Sequence, residues 1–277
     1  MLVPIGSGTS LDVADAGSGS AVVLLHGWPV TAVHWRGLIP PLNRAGYRTL
    51  AIEARGFGNA STGPGDGAKA QLAAEVVAVL DALHVRRVAL IGHGMAGTVA
   101  ALVAAAQPAR VVALVLEETV LPGTGVPAAS REQPAAWLPA LLRAPGGIAE
   151  GLLHGRFDLA VDAYLSASAG PAGLDFDAHL AYVTAYGSDE RIGPSIGLFR
   201  AEREDAAAVQ RAARRRLRLP GLAVAGRTGT GPAAAESLSR LVSGVTPLLV
   251  PGAGAYPAEQ APDAVAGGIV RFLRAVT

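Results

Sequence analysis

Short apolar runs alternate with longer helical patterns along most of this chain, and that alternation limits the fold more than any other feature. Strands separated by helices in this way usually lie parallel in one sheet. Strands are predicted at residues 2–5, 11–14, 21–25, 49–53, 88–91, 111–116, 221–225 and 247–250. Helices are predicted near residues 33–45, 68–83, 95–106, 233–242 and 258–276. Because Gly6-Ser7-Gly8 separates the first two strands, we expect an antiparallel hairpin at one edge of the sheet.

The composition excludes several classes of protein. Of the 277 residues, 51% are apolar and 16% are charged, which is enough apolar material for a large buried core. The absence of cysteine excludes disulfides and thiolate chemistry. A net charge of +1 gives no general attraction for nucleic acid, and no apolar run approaches the roughly 20 residues that span a bilayer. The N-terminus has no signal-peptide pattern, so we expect a cytoplasmic protein without nucleic-acid or membrane partners.

The alternation of strands and helices stops between Pro122 and about Glu204. This stretch has helical periodicity and contains many of the chain's aromatic residues, namely Trp137, Phe157, Tyr164, Phe176, Tyr182, Tyr186 and Phe199. Helical insertions after a core strand often cover the ligand crevice at the carboxyl ends of the strands. We therefore predict an α/β core formed by residues 1–121 and 205–277, with residues 122–204 inserted as a helical cap, or lid.

A sharp turn from strand to helix is predicted at Ile91-Gly92-His93-Gly94-Met95-Ala96-Gly97. In the Gly-x-nucleophile-x-Gly pattern, the middle residue lies at the tip of such a turn in a strained conformation. Here that residue is Gly94, which has no side chain that could attack a substrate. Glycine adopts a positive φ without steric cost, so the turn can form although its nucleophile is missing. The sequence therefore argues against a covalent intermediate at this position.

Four motifs, in order along the chain, carry a resemblance to a known family. They are His26-Gly27-Trp28-Pro29, Glu53-Ala54-Arg55-Gly56-Phe57-Gly58, the turn at 92–97, and Gly252-Ala253-Gly254-Ala255-Tyr256-Pro257-Ala258-Glu259. Together they resemble the α/β-hydrolase superfamily, specifically its epoxide hydrolase and dehalogenase branch, over essentially the whole chain. The resemblance implies an α/β-hydrolase fold: an eight-stranded, mostly parallel sheet flanked by helices, with an inserted helical lid.

The departures from that family affect its catalytic triad. By the resemblance, the nucleophilic Asp corresponds to Gly94, the orienting acid after the seventh strand to Gly229, and the catalytic His to Ala255. A triad mechanism needs a nucleophile, a base and an orienting acid within hydrogen-bond reach of one another. Since none of the three is present at its position, we do not expect ordinary ester or epoxide hydrolysis.

Several residues could still act on a substrate. By the resemblance, the backbone N–H groups of Trp28 and Met95 would stabilise a developing oxyanion, and His26 and Gly27 would shape that loop. Glu118 follows the sixth strand, where it is either an acid or base in the pocket or a salt-bridged residue at the root of the lid. The tyrosines of the lid either bind an epoxide oxygen or only pack.

The predicted site follows from these assignments. Tyr182 and Tyr186, four residues apart on one helical face, are predicted to act with Trp28, Met95 and Glu118. The predicted substrate-binding residues are His26, Gly27, His93, Gly94, Trp137, Tyr164, Phe199, Ala255 and Tyr256. No nucleotide-binding glycine motif is found, and no histidine pair has metal-ligand spacing with a carboxylate, so we expect no cofactor and no metal.

These observations favour a non-hydrolytic enzyme of natural-product biosynthesis, acting on a hydrophobic small molecule such as a polyketide. Cyclisation, isomerisation and C–C bond formation are the expected reactions, for example the intramolecular opening of an epoxide. Three alternatives stay open: a ligand-binding protein without turnover, a structural partner of an active homologue, and a residual epoxide or ester hydrolase that uses recruited residues. The sequence also leaves a homodimer open.

Overall fold

One eight-stranded sheet forms the centre of the computed structural model, which describes residues 1–61, 67–127 and 135–276. Its strands are β1 (Leu2–Gly6), β2 (Thr9–Ala16), β3 (Ser20–Leu25), β4 (Tyr47–Ile52), β5 (Val88–His93), β6 (Val111–Glu117), β7 (Leu217–Gly226) and β8 (Val242–Val250). Their order is β1-β2-β4-β3-β5-β6-β7-β8. The pairs β1–β2 and β2–β4 are antiparallel and the other pairs are parallel. The eight predicted strands and the edge hairpin are confirmed.

Twelve α-helices occur in the described part of the chain. They are α1 (Ile39–Arg44), α2 (Lys69–Ala82), α3 (Met95–Ala106), α4 (Trp137–Leu142), α5 (Ile148–Leu153), α6 (Phe157–Ser168), α7 (Phe176–Ala185), α8 (Ile192–Arg200), α9 (Glu202–Ala213), α10 (Pro232–Ser239), α11 (Pro257–Gln260) and α12 (Pro262–Val276). Short 3-10 helices lie at Ala32–Trp35, Gly170–Ala172 and Asp189–Arg191.

Three predicted helices differ from those observed. The stretch 33–45 is divided into the 3-10 helix and α1, which has proline at its start, a position where the missing N–H costs nothing. The final helix is interrupted at Ala261, because the residue before Pro262 is pushed out of the helical conformation. The helix predicted to reach residue 242 ends at Ser239, since β8 begins at Val242 and pairs with β7.

The sheet is buried on both faces. Successive residues of β3 alternate between them: Val23 and Leu25 pack on the side of α2, α3 and α10, whereas Val22 and Leu24 pack on the side of α1 and α12. Burying one such side chain contributes about 1.5–3 kcal/mol, so the two layers account for much of the fold's stability. No helix in the described ranges is long and apolar enough to cross a membrane.

The segment between β6 and β7 contains the helices α4–α9, and we call α4–α8 the helical insertion. It packs over the carboxyl end of the sheet through a cluster that contains Trp28, Phe57 and Tyr256 from the core. The next helix, α9, packs against α2 and α3, so the predicted boundary between residues 204 and 205 falls inside α9. Residues 128–134 of the predicted cap lie outside the described residues.

Candidate active site

The turn between β5 and α3 has the geometry of a nucleophile elbow. Gly94 has φ 55° and ψ −126°, which a residue with a side chain adopts only under strain. Its N–H donates to the carbonyl oxygen of Glu117 at 2.8 Å, and its own carbonyl accepts from Thr119 Oγ1 at 2.8 Å. A Cβ placed at Gly94 would have Gly27 Cα as its nearest neighbour, at 4.0 Å. The tip of the elbow therefore faces open space.

A cavity of about 1720 Å³ lies above this elbow, at the carboxyl ends of the strands. Typical small-molecule pockets measure about 300–1,000 Å³, so this one has room for a bulky ligand. Ten of the predicted site residues line it: Trp28, His93, Gly94, Met95, Glu118, Trp137, Tyr164, Phe199, Ala255 and Tyr256. The structure thus brings together, in one place, residues that come from both the core and the helical insertion.

Aromatic rings form the wall between core and insertion. The Trp28 ring lies 5.1 Å from the ring of Tyr164 and 5.0 Å, edge to face, from that of Phe199. Its Nε1–H donates to Ser195 Oγ at 2.9 Å, which satisfies the one polar atom of the indole. This aromatic part of the wall suits a hydrophobic ligand.

The structure corrects the placement of the two tyrosines predicted to act together. The Tyr182 hydroxyl donates to Glu259 Oε1, and Glu259 in turn pairs with Arg36 at 3.1 Å. Tyr186 directly follows α7 and packs against Phe57. Spacing along the helix places both side chains on one face, but that face packs on the core. Neither tyrosine is among the described residues that line the large cavity, and Tyr164 lines it instead.

His26 and Gly27 also lie outside the lining of the large cavity as the structure describes it. Together with Tyr186 they line a separate cavity of about 40 Å³ behind Trp28 and Met95. The His26 ring is paired with Glu53, with 2.9 Å between Nε2 and Oε2. These residues support the loop after β3 from behind, and their contact with substrate stays a prediction.

The Glu118 carboxylate lies where the orienting acid was expected to be missing. A Cβ at Gly229 would lie 2.3 Å from Glu118 Oε2, so this carboxylate fills the position of the orienting acid that the resemblance assigned to residue 229. Its oxygens accept from the backbone N–H groups of Gly226 at 2.5 Å and Thr230 at 2.7 Å. Glu118 has φ 48°, a strained conformation that costs about 1–3 kcal/mol. The carboxylate at this position therefore follows β6 and not β7.

Burial raises the pKa of Glu118 to about 7, despite the two backbone N–H groups that favour its charged form. An unfolded chain would release this proton near pH 4.5, and the folded protein releases it near pH 7. At neutral pH the group can therefore either donate or accept a proton.

This raised pKa predicts a pH-dependent stability. Below about pH 4.5 the carboxyl is protonated in both states, and its contribution to stability is fully present. Between pH 4.5 and 7 only the unfolded chain loses the proton, so that contribution falls as the pH rises, by about 3 kcal/mol in total. Glu118→Gln should remove this loss, which urea unfolding of both proteins at about pH 4.5 and about pH 8 would measure. Identical pH dependence in the two proteins would contradict the assignment.

A buried network that the sequence analysis did not predict lies beneath the elbow. His34 is fully buried, and its Nε2 lies 3.2 Å from Glu117 Oε2. Glu117 Oε1 accepts from the N–H of Ala258 at 2.6 Å, and His93 Nε2 donates to the carbonyl oxygen of Ala255 at 2.9 Å. His93 and Glu117 are the last residues of β5 and β6, and that shared position is a signal in the sequence. His34 lies in the 3-10 helix Ala32–Trp35, away from any strand end.

Burial disfavours charge in this network, and the two histidines are uncharged at neutral pH. Burial lowers the pKa of His34 to about 3 and that of His93 to about 4, and burial raises the pKa of Glu117. The two imidazole rings lie 4.4 Å apart, so a proton on one would repel a proton on the other. We infer that these groups fix the elbow and the loop of Ala255, because a neutral His93 with Nε2 bonded to a carbonyl is poorly suited to take a substrate proton.

Comparison with known proteins defines the class. A family model described as the alpha/beta hydrolase fold matches residues 20–257, and the chain belongs to that family. Over 114 residues it is 38% identical to the mouse protein named bifunctional epoxide hydrolase 2, a match that covers 40% of this chain. That match spans only 21% of the mouse protein.

Solved structures agree with this class over nearly the whole chain. The crystal structure of Cfl2 from Burkholderia cenocepacia superposes with a TM-score of 0.88 at 25% identity, covering 96% of this chain and 92% of that one. The structure named epoxide hydrolase CorEH gives a TM-score of 0.87 at 21% identity, covering 99% and 98% of the two chains. The fold is therefore that of an α/β hydrolase, with epoxide hydrolase-like homologues.

Proposed function

We propose that this protein is a non-hydrolytic enzyme that binds a bulky, hydrophobic electrophile such as an epoxide and rearranges it. The observation that carries the proposal is the glycine at the tip of an intact elbow. By the resemblance, Gly94 replaces the nucleophile and Ala255 replaces the base of an epoxide hydrolase. Without both, the covalent ester of the hydrolytic route cannot form or be cleaved. A nucleophile at this place would instead trap the electrophile.

Intramolecular ring opening fits the groups that line the cavity. A nucleophilic atom of the substrate forms a bond to one epoxide carbon while the bond from that carbon to oxygen breaks. The oxygen takes a proton from Glu118, and the nucleophilic atom later returns a proton to the carboxylate, so the product is an isomer of the substrate. Holding the two reacting atoms of one molecule together can supply about 7–11 kcal/mol of the barrier reduction.

Backbone N–H groups support this chemistry. Met95 is the first residue of α3, so its N–H has no acceptor within the helix and is free to stabilise negative charge. By the resemblance, the N–H of Trp28 is the second donor to the developing oxyanion. The Tyr164 hydroxyl, on the helical insertion, is a side-chain donor that could assist them, since its residue lines the same cavity.

The size and character of the cavity support the substrate class. Its volume suits a polycyclic molecule, and its wall of Trp28, Tyr164 and Phe199 suits a hydrophobic one. We assign the helical insertion, α4–α8, the role of a lid over this space. Cyclisation or isomerisation of a natural product, such as a polyketide, is the reaction that these features favour.

The test is a turnover assay with an extract from a strain that lacks the gene. We expect a metabolite to be consumed and an isomer of equal mass to appear, with boiled protein as the control. Glu118→Gln should lower kcat/KM by about 10²-fold, the usual size of the contribution of a general acid. Turnover that is unchanged in this variant would contradict the role of Glu118. Retention of one metabolite without any product would identify a binding protein and overturn the proposal.

A further inference from the structure

The chain contains one lysine, Lys69, among 23 lysine and arginine residues, and this lysine is buried. It is the first residue of α2 and is 4% exposed. Long cationic side chains are almost never fully buried unless they are paired. The burial of the chain's single lysine therefore needs a specific explanation.

Two groups hold the ammonium of Lys69. Its Nζ donates to the carbonyl oxygen of Leu198 and lies 3.0 Å from Asp205 Oδ2. The other oxygen of that carboxylate, Oδ1, accepts from the backbone N–H of Lys69 at 2.8 Å. Asp205 is itself 3% exposed, so the carboxylate is fixed beside the amine in a place with little water. An amine and a fixed base within hydrogen-bond reach form a nucleophile–base pair.

The pair lies at the wall of the candidate active site. Lys69 and Asp205 both line the large cavity, and Lys69 also lines the small one. Trp28, Met95 and Leu198 share this position between the two cavities. A ligand in the large cavity therefore has Lys69 on the same side as the backbone groups assigned to polarise an oxygen.

Arginine could neutralise Asp205 as well as lysine does, but it could not serve as a nucleophile, because a guanidinium does not lose its proton in proteins. Lysine can lose its proton when burial disfavours the charged form. Burial lowers the pKa of Lys69, although Asp205 opposes that shift. Desolvation is also one of the ways in which lysines that form Schiff bases with carbonyl substrates are activated.

We propose that Lys69 forms an imine with an aldehyde or ketone bound in the large cavity, with Asp205 as the proton carrier. Asp205 takes a proton from the ammonium, and the free amine adds to the carbonyl carbon. The resulting carbinolamine loses its oxygen as water, with the proton supplied by Asp205, and a carbon–nitrogen double bond forms. This inference does not depend on Glu118 or on an epoxide, and it extends the chemistry of the site to carbonyl compounds.

Reductive trapping tests the proposal, and the chain is suited to it. The Met1 amine, exposed and paired with Asp12, is the only other primary amine, so it serves as an internal reference. The protein would be treated with benzaldehyde and sodium cyanoborohydride, and peptide mapping would give the labelling rates of both amines. The quantity to compare is the labelling rate of Lys69 divided by that of Met1. We expect this ratio to be at least about 10-fold higher in the folded protein than in the urea-unfolded chain. Slower labelling of Lys69 in the folded protein would overturn the proposal.

Two variants separate a reactive amine from an accessible one. Lys69→Arg keeps a cation beside Asp205, and Met1 should then be the one amine that is labelled. Asp205→Asn keeps the amine but removes the base, and we expect labelling of Lys69 to slow by about 10²-fold. Equal labelling of Lys69 with and without the Asp205 carboxylate would contradict the assignment of the proton carrier. The comparison of folded and unfolded wild-type protein stands even if a variant fails to fold.

Discussion

The double variant Gly94→Asp, Ala255→His is expected to hydrolyse an epoxide at least about 10²-fold faster than the wild-type protein, the size of effect that general-base catalysis contributes. The substitutions return a nucleophile to the elbow and a base to the facing loop. Glu118 already supplies a carboxylate on that side of the cavity. A nucleophile, a base and an acid would then line one cavity, as hydrolysis through a covalent ester requires.

The structure has room for this change. Space is open at the position of a Cβ on Gly94, whereas a Cβ on Gly229 would meet the Glu118 carboxylate. The acid therefore should not be restored at residue 229. An Asp at φ 55° costs about 1–3 kcal/mol, which a domain of this size can tolerate.

Styrene oxide is a suitable probe, with diol formation followed by chromatography. Gly94→Asn, Ala255→His is the matched control, because it has the same shape at the elbow but a much weaker nucleophile. We expect diol from the Asp variant alone. Rapid diol formation by the wild-type protein would contradict the account, since it would mean that recruited residues already perform the hydrolysis.

Asp205→Leu is expected to lower the free energy of unfolding by about 3–5 kcal/mol, the usual cost of leaving one member of a buried ion pair without its partner. Lys69 is 4% exposed, so its ammonium would stay buried in this variant. Of the two partners that the structure describes, Asp205 and the Leu198 carbonyl, only the carbonyl would remain. The pair also joins the start of α2 to α9, so its loss should loosen the contact between these two helices.

The double variant Lys69→Met, Asp205→Leu separates charge from packing. Replacing a buried ion pair by apolar residues of similar size is often neutral or stabilising. We therefore expect its free energy of unfolding to lie within about 1 kcal/mol of the wild-type value. Urea unfolding at pH 7 measures both quantities. A double variant as unstable as Asp205→Leu alone would show that the contribution of the pair is not electrostatic.

The sequence predicted the sheet well because its strands are short apolar runs bounded by turns, and this signal is local. The β1–β2 hairpin and the α3 helix were predicted for the same reason. Proline effects were harder to place. The breaks before Ile39 and at Ala261 follow from ordinary proline chemistry, but the helical periodicity that continues past them hid both.

The site was predicted less completely, because its contacts join distant parts of the chain. His34 and Glu117 are 83 residues apart, and Lys69 and Asp205 are 136 apart. Nothing local to either residue shows that such a pair will meet. The prediction for Tyr182 and Tyr186 was incomplete for a different reason. Their spacing showed that they share a helical face, but it could not show that this face packs on the core. Likewise, the sequence showed that residue 229 has no carboxylate, but it could not show that the Glu118 carboxylate lies at the same place in the fold.

The most direct test of the central claim is to follow the origin of oxygen in the product. The wild-type protein would be incubated with its substrate, taken from the extract, in heavy-oxygen water, and the product would be analysed by mass spectrometry. If Gly94 leaves a site that rearranges its substrate without hydrolysis, the product is an isomer that contains no heavy oxygen. A product that has gained the elements of water, with heavy oxygen in its new hydroxyl group, would contradict this account.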